Sequence, residues 1–568
     1  MYRGYGENFY LCSINQYIDI MKTNKLRMIV IGMMACLTAT TAWADITIDA
    51  THFPDEGFRK WLKEQPFGED GVITTDEFKE TKSMTIWAGE ADYTIKNVKG
   101  LEYFTNLTSL DVTYTVDSVD VSELTLLKSL IVSLWGNSAM TSIDLSQNPL
   151  LEEFICVGSA MKSLDLRGNP LLKNLFVNDC TELATMDISN CKKLFDLRCD
   201  NTLLSSIDVS DCTDLYEFNC FACPNLTSIN VTNCGELTYF RCWDTPVTSI
   251  DVSTCKKLAE YLCARTNMTR LDLTPNGGIT VLACSGGQLT EIILPNSLVL
   301  DISCQDNPQL TTLTIPGNEH LNTLNFSNTK VQTVDVTSSR KLFGLWCSNS
   351  ALTSIDLKNC PDISILECTN TPLETLDLSG CLDLDNVQVS DNQLTTLKMP
   401  SSCKLVTLKC QNNKLTSLDL TGCRQMQWLE CQNNQLTNLV MPTPIVYPAD
   451  YADYRYELGE VDISVNQLKG AVIDAFIDKL PQKEWETYFR AYDSTVESEG
   501  NVFTPAQVAA AKAKNWIVAD VESNPSNIQL QQADKRNATW YSLDGVRQPG
   551  QPMQRGIYIK DSKKVLVK

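Results

Sequence analysis

The chain is short of the groups that most enzymatic chemistry needs. It has two histidines in 568 residues, His52 and His320, too far apart to act as a pair. No phosphate-binding loop or nucleophile elbow is present, and the only C-x-x-C is Cys220-Phe221-Ala222-Cys223, so a paired zinc spacing is missing. Long apolar runs are absent too: the stretch from Met28 to Leu37 is too short to cross a bilayer. Positive charge is scarce, with 47 Lys and Arg against 69 Asp and Glu and a net charge of −22. That balance disfavours nucleic acid and anionic membrane surfaces as partners. The residues therefore predict no enzyme, no catalytic or metal-ligating set, no cofactor and no membrane insertion.

What the chain has instead is repetition. Between Leu107 and Met441 the pattern L-x-x-L-x-C-x-x-N-x-L-T-S-L-D-L-S-x-C-x-x returns about every 21 residues, a period that signals a solenoid. It is clearest in Leu415-Thr416-Ser417-Leu418-Asp419-Leu420 and in Met426-Gln427-Trp428-Leu429-Glu430-Cys431-Gln432-Asn433-Asn434. The third position of each L-x-C triplet is Val112, Val132, Cys156, Val177, Cys199, Cys220, Cys242, Cys263, Cys284, Cys304, Phe326, Cys347, Cys368, Val389, Cys410 and Cys431, which makes sixteen coils.

Within L-x-C, Leu and Cys fall on one side and the middle residue on the other, as in a strand. L-D-L alternates in the same way. Each coil thus predicts two similar half-turns, with a short parallel strand possible in both, and no helix. These are leucine-rich repeats, and they resemble the IRREKO-type subclass and internalin-like exported proteins. The resemblance covers about three fifths of the chain. The expected fold is mainly β, a right-handed leucine-rich repeat solenoid of about sixteen coils, with a small helical amino-terminal cap and an α/β carboxy-terminal cap.

The cysteines follow the repeat. Eleven take the inward strand site; Cys191, Cys212, Cys234, Cys255, Cys360, Cys381, Cys403 and Cys423 take the turn after L-D-L-S; Cys180 and Cys223 replace the repeat's asparagine. A site shared with Val and Phe is a packing site, so most of these are expected to be buried free thiols rather than disulfides, a redox relay or a metal ladder. The outward aspartates, among them Asp144, Asp165, Asp208, Asp251, Asp272 and Asp377, stack in a row that tolerates its own repulsion in water and is expected to bind no cation.

The segments divide as 1–44 leader, 45–105 amino-terminal cap, 106–441 repeats, 442–522 carboxy-terminal cap, 523–538 linker and 539–568 terminal β module. Lys22, Lys25 and Arg27, the apolar run and Ala42-Trp43-Ala44 read as a secretory signal peptide whose start is expected at Met21, with Cys36 a poor lipidation site. Phe67-Gly68-Glu69-Asp70-Gly71 resembles a decayed EF-hand loop without its first ligands. Trp540-Tyr541-Ser542-Leu543-Asp544-Gly545 and the strands after it are similar to the sorting modules of type IX secretion in Gram-negative anaerobes.

The reading for function is a non-catalytic, monomeric, adhesin-like binding protein, secreted or held at the outer cell surface. Its partner would be a host or bacterial surface protein or glycan. The alternative is surface glycan capture or processing. Expected ligand contacts are outward residues beside the L-x-C strand: Arg198, Phe221, Tyr239, Arg241, Trp243, Arg265, Trp346 and Trp428, with Trp135 and Phe176 as further candidates. Arg241 and Trp243 are expected to be large, exposed and weakly packed.

Overall fold

In the computed structural model the described residues are 45–87, 94–113, 116–133, 140–296, 299–443 and 458–521, with the backbone of four short strands after residue 539. The leader with Cys36, Trp135 and the linker lie outside them. Two compact units are distinguished, Ala42–Ser523 and one that includes Asn524–Lys568. In the latter, Trp540–Ser542, Arg547–Gln548, Gly556–Lys560 and Lys563–Val567 pair as an antiparallel sheet.

The larger unit is a leucine-rich repeat solenoid. Its coils are nearly equal in length, so strands stack in parallel with like residues opposite like: Asp196 faces Glu217, Leu197 faces Phe218 and Arg198 faces Asn219. Each strand residue that points inward is buried, Leu197 and Cys199 being 0% exposed. Sixteen such strands, from Ser109–Thr113 to Trp428–Glu430, form one sheet. Ser83–Trp87 extends it at one end, and Glu460–Asp462, Thr487–Tyr492 and Trp516–Asp520 extend it at the other.

Every coil must then turn sharply with its backbone satisfied. The residue two after the marker adopts positive φ, as in Asn201 (56°), Asn349 (56°), Asn412 (57°) and Asn433 (51°), and Asn and Asp tolerate that region best. The next residue points inward and answers orphan backbone groups: Asn413 Nδ2 donates to the carbonyls of Val389 (2.9 Å) and Cys410 (3.0 Å), and its Oδ1 accepts from Leu394 N (2.9 Å). Thr202 and Cys223 fill the same place in their coils.

The turn cysteines alternate with Asn148, Asn169 and Asn276, which explains the residue choice. Each Asn donates to two carbonyls of the preceding coil, but its Oδ1 has no partner. A thiol donates once, as Cys381 Sγ does to Leu357 O (3.4 Å), and leaves no strong acceptor behind. Among the described residues nineteen cysteines are free and buried. Cys347 and Cys368 of adjacent coils are an exception to the free-thiol expectation and form a disulfide.

The second face also carries short parallel strands, but not in every coil. Its strands pair only in patches: Ser163–Asp165 with Thr185–Asp187, Ser206–Asp208 with Ser228–Asn230, Arg270–Asp272 through Thr312–Thr314, Thr375–Asp377 with Thr396–Lys398, and Ser417–Asp419 with Asn438–Val440. At Ile143, Ile250 and Ile355, where pairing lapses, the inward residue is only partly buried.

The ends are covered by helices. Glu56–Lys63 is capped by Asp55, and Thr75–Glu80 by a reciprocal Thr74 and Glu77 pair. Glu77 thus serves a helix start rather than a calcium loop. At the other end Ala471–Lys479 and Pro505–Ala513 pack beside the last strands.

Candidate binding face

The residues that flank each sheet strand form a grid, because register repeats them one coil apart, about 4.8 Å. Between residues 174 and 265 that grid is unusually rich in aromatic and charged groups. Along the strand's first position run Asn174, Asp196, Glu217, Tyr239 and Glu260; along its outward last position run Phe176, Arg198, Asn219, Arg241 and Leu262.

The charges are mutually engaged. Arg241 donates to Glu217 Oε1 (2.6 Å), Glu260 Oε1 (2.6 Å) and Asn219 Oδ1 (3.2 Å). Arg198 donates to both oxygens of Asp196 (2.9 and 3.2 Å), lies 3.6 Å from Glu217, and covers the Phe176 ring at 4.6 Å. The expectation that Arg241 is a free exposed contact is therefore corrected: its side chain is 20% exposed and braces three coils. Its backbone position alone could not show this, since the bridging carboxylates belong to coils before and after it.

Aromatics border this network on both sides. Before the strand, Phe195 stacks on Tyr216 at 5.1 Å, and Tyr216 meets Tyr239 edge-on at 5.4 Å. Phe195 is 47% exposed. After the strand, Phe221 and Trp243 stack with centroids 4.0 Å apart. Arg265 pairs with Asp244 (2.6 Å) beside them. Beneath, Phe218, Phe240 and Tyr261 stack inside the core in the place of Leu.

Of the sequence-predicted contacts, Arg198, Phe221, Tyr239, Arg241, Trp243 and Arg265 converge here. Trp346 and Trp428 lie farther along the sheet. Trp346 folds back over Gly344, where a Cβ would collide with the ring; Trp428 donates to Glu430 (2.7 Å) and receives Lys409 over its ring at 5.2 Å. Phe195 and Tyr216 went unnoticed in the sequence. Their signal was an aromatic immediately before the strand in two successive coils, where other coils carry Lys173, Thr238 or Thr280.

Burial also shifts two carboxylates. Asp196 is pushed up to about 6 by burial, against the opposing pull of Arg198. Asp200, 8% exposed, is pushed up to about 7 by burial and then by the charge of Asp179.

The outward aspartates of the other face do not form a comparable site. Asp144, Asp208, Asp251 and Asp377 each accept from the backbone N–H two residues on, at 2.9 to 3.1 Å. They are turn-closing groups, as Asx turns require, and hydrogen bonding holds them below the usual carboxylate range, led by backbone or side-chain donors at Asp144, Asp251 and Asp377.

The chain is similar to the functional domain of InlJ from Listeria monocytogenes, described as including a cysteine ladder, at 21% identity over 79% of this chain and 82% of that one, with a TM-score of 0.40. It is similar to YopM from Yersinia enterocolitica at 16% identity, covering 77% and 86%, with a TM-score of 0.49. A leucine-rich repeat protein of Leptospira interrogans aligns at 17% identity over 72% and 96%, with a TM-score of 0.40. These are likenesses of fold. No family model and no curated protein matches the chain. Among the described residues no helix is long and apolar enough to cross a membrane.

Proposed function

We propose that this is a non-catalytic binding protein, exported and adhesin-like, which engages a protein partner through the outer sheet face between residues 174 and 265. The observation that carries it is the convergence there of Phe176, Phe195, Tyr216, Phe221, Tyr239 and Trp243 around the Arg198 and Arg241 network. Aromatic and Arg groups held rigidly on a sheet are typical interface anchors and lose little entropy on binding. Rigid presentation follows from the stacking and from the bridges between coils.

A second reading, capture of a surface glycan, is favoured by the two flat stacks, Phe195 on Tyr216 and Phe221 on Trp243, which match the apolar faces of sugar rings. The test is a parallel screen of the full chain on arrays of bacterial and host surface proteins and on a glycan array. A protein hit that is lost in Tyr216→Ala/Trp243→Ala and kept in Trp428→Ala supports the proposed face. Hits confined to glycans move the assignment to the second reading, and binding indifferent to the double change removes this face altogether.

A further inference from the structure

The network on the binding face is incomplete in one place. Four carboxylates, Asp196, Asp200, Glu217 and Glu260, share two guanidiniums. Arg241 is taken by Glu217 and Glu260. Arg198 pairs with Asp196 and Glu217 and acts on Asp200 only through its charge, without an ion-pair contact. Asp179, the nearest other acid, already accepts from Asn178 (3.0 Å) and Asn201 (2.8 Å), and Asp244 is held by Arg265. Asp200 is left 8% exposed, with no hydrogen bond from another side chain.

Register places Asp200 one coil before Phe221: Cys199 N donates to Asn219 O and Asn201 N to Phe221 O, at 2.8 and 2.9 Å. Asp200, Phe221 and Trp243 are thus successive rungs. Phe221 and Trp243 are stacked with planes 9° apart, so the outer face of Phe221 looks toward the Asp200 rung. A carboxylate buried without an ion-pair partner costs folding stability, and its own backbone N–H and the more distant charges of Arg198 and Arg241 offset only part of that cost. An aromatic face beside an unanswered carboxylate is the environment that an ammonium or guanidinium group prefers.

We propose that a Lys or Arg side chain of the protein partner seats against Phe221 with its charge on Asp200, completing the network. The proposal rests on the binding face assigned above and names the partner's chemistry as a basic polypeptide segment. Charge complementarity favours this occupant, since the site holds two more carboxylates than guanidiniums and the chain carries a net −22.

The test uses the full chain and calorimetry with a short Lys-Gly repeat peptide and the same peptide acetylated on every lysine. The wild-type protein should prefer the charged peptide, and Asp200→Asn, which keeps shape, should weaken that binding about tenfold or more. Trp243→Ala, which exposes one side of the stack, should weaken it too, while Asp377→Asn on the other face should bind as wild type. Cooperative melting of each variant establishes that it is folded. Equal response to charged and acetylated peptides overturns the proposal. So does charged-peptide binding that Asp200→Asn leaves unchanged, because the attraction is then diffuse. Either result leaves the face itself to be judged by the array screen: a partner lost with Tyr216→Ala/Trp243→Ala but indifferent to Asp200→Asn keeps the face and removes only the cation.

Discussion

At the scale of single residues, Asp200 should show its strain as pH dependence. Its pKa is raised from 3.8 to about 7 on folding, chiefly by burial. The folded state therefore holds the proton more tightly than the unfolded one, and stability from this group is full below the unfolded value and is lost as pH rises toward the folded one. Asp200→Asn mimics the protonated form, so it should match wild type near about pH 4 and exceed it increasingly toward about pH 8. Denaturant titrations at both ends check this, and an advantage that is flat with pH refutes the assignment. Ala222 and Arg265 occupy positive φ (both 52°) in the row otherwise served mainly by Asn, Asp and Gly. Ala222→Asn should stabilise by about 0.5–1 kcal/mol, since Asn adopts that region more readily.

At the scale of the element, the bridges make each strand depend on its neighbours. Arg241→Ala leaves Glu260 without its cation and Glu217 with Arg198 alone, at 18% and 19% exposure, and should cost about 1–2 kcal/mol. Adding Glu217→Gln and Glu260→Gln to that variant should recover part of the loss, because the orphaned charges go with it. A loss that these changes do not touch would assign Arg241 a packing role only. The same dependence governs the thiols. Burial pushes Cys191, Cys234 and Cys304 up to about 12. Hydrogen bonding with Cys156 and Cys423 lowers Cys180 and Cys403 instead. A thiol reagent should label few cysteines in the native protein, and the nineteen free ones of the described residues after unfolding. Widespread native disulfides by mass spectrometry would contradict the packing account.

At the scale of the molecule, a solenoid stabilises itself through contacts between adjacent coils. Removing residues 386–406, one whole period, brings Asp385 to the place of Val406 and keeps every later ladder in register. That deletion should leave a cooperative fold. Removing 386–395 brings the wrong half-turn under the next strand and turns its inward Leu and Cys outward, so it should aggregate or unfold. Circular dichroism melts distinguish the two. The proposed export carries its own test: amino-terminal mass spectrometry should find a mature chain that begins at Asp45.

The repeat was legible in the residues because a coil is a local object. The spacing of Leu197 and Cys199, the Asn of Asn412 and Asn413, and the Pro505 that opens a helix each act within a few positions, where backbone sterics and alternation decide. The pattern also named Arg198, Phe221, Tyr239, Arg241, Trp243 and Arg265 as outward. It did not show that Arg241 is spent on Glu217 and Glu260, that the outward aspartates close their own turns, or that Asp200 lacks a cation. Each of those depends on which side chain is one coil away and which way it leans. By itself the sequence determined the period and the inward and outward positions. The tertiary structure decided which charges on the face are answered and which one is not, because stacking brings together residues about 21 positions apart and burial then sets the cost of leaving any of them unpaired.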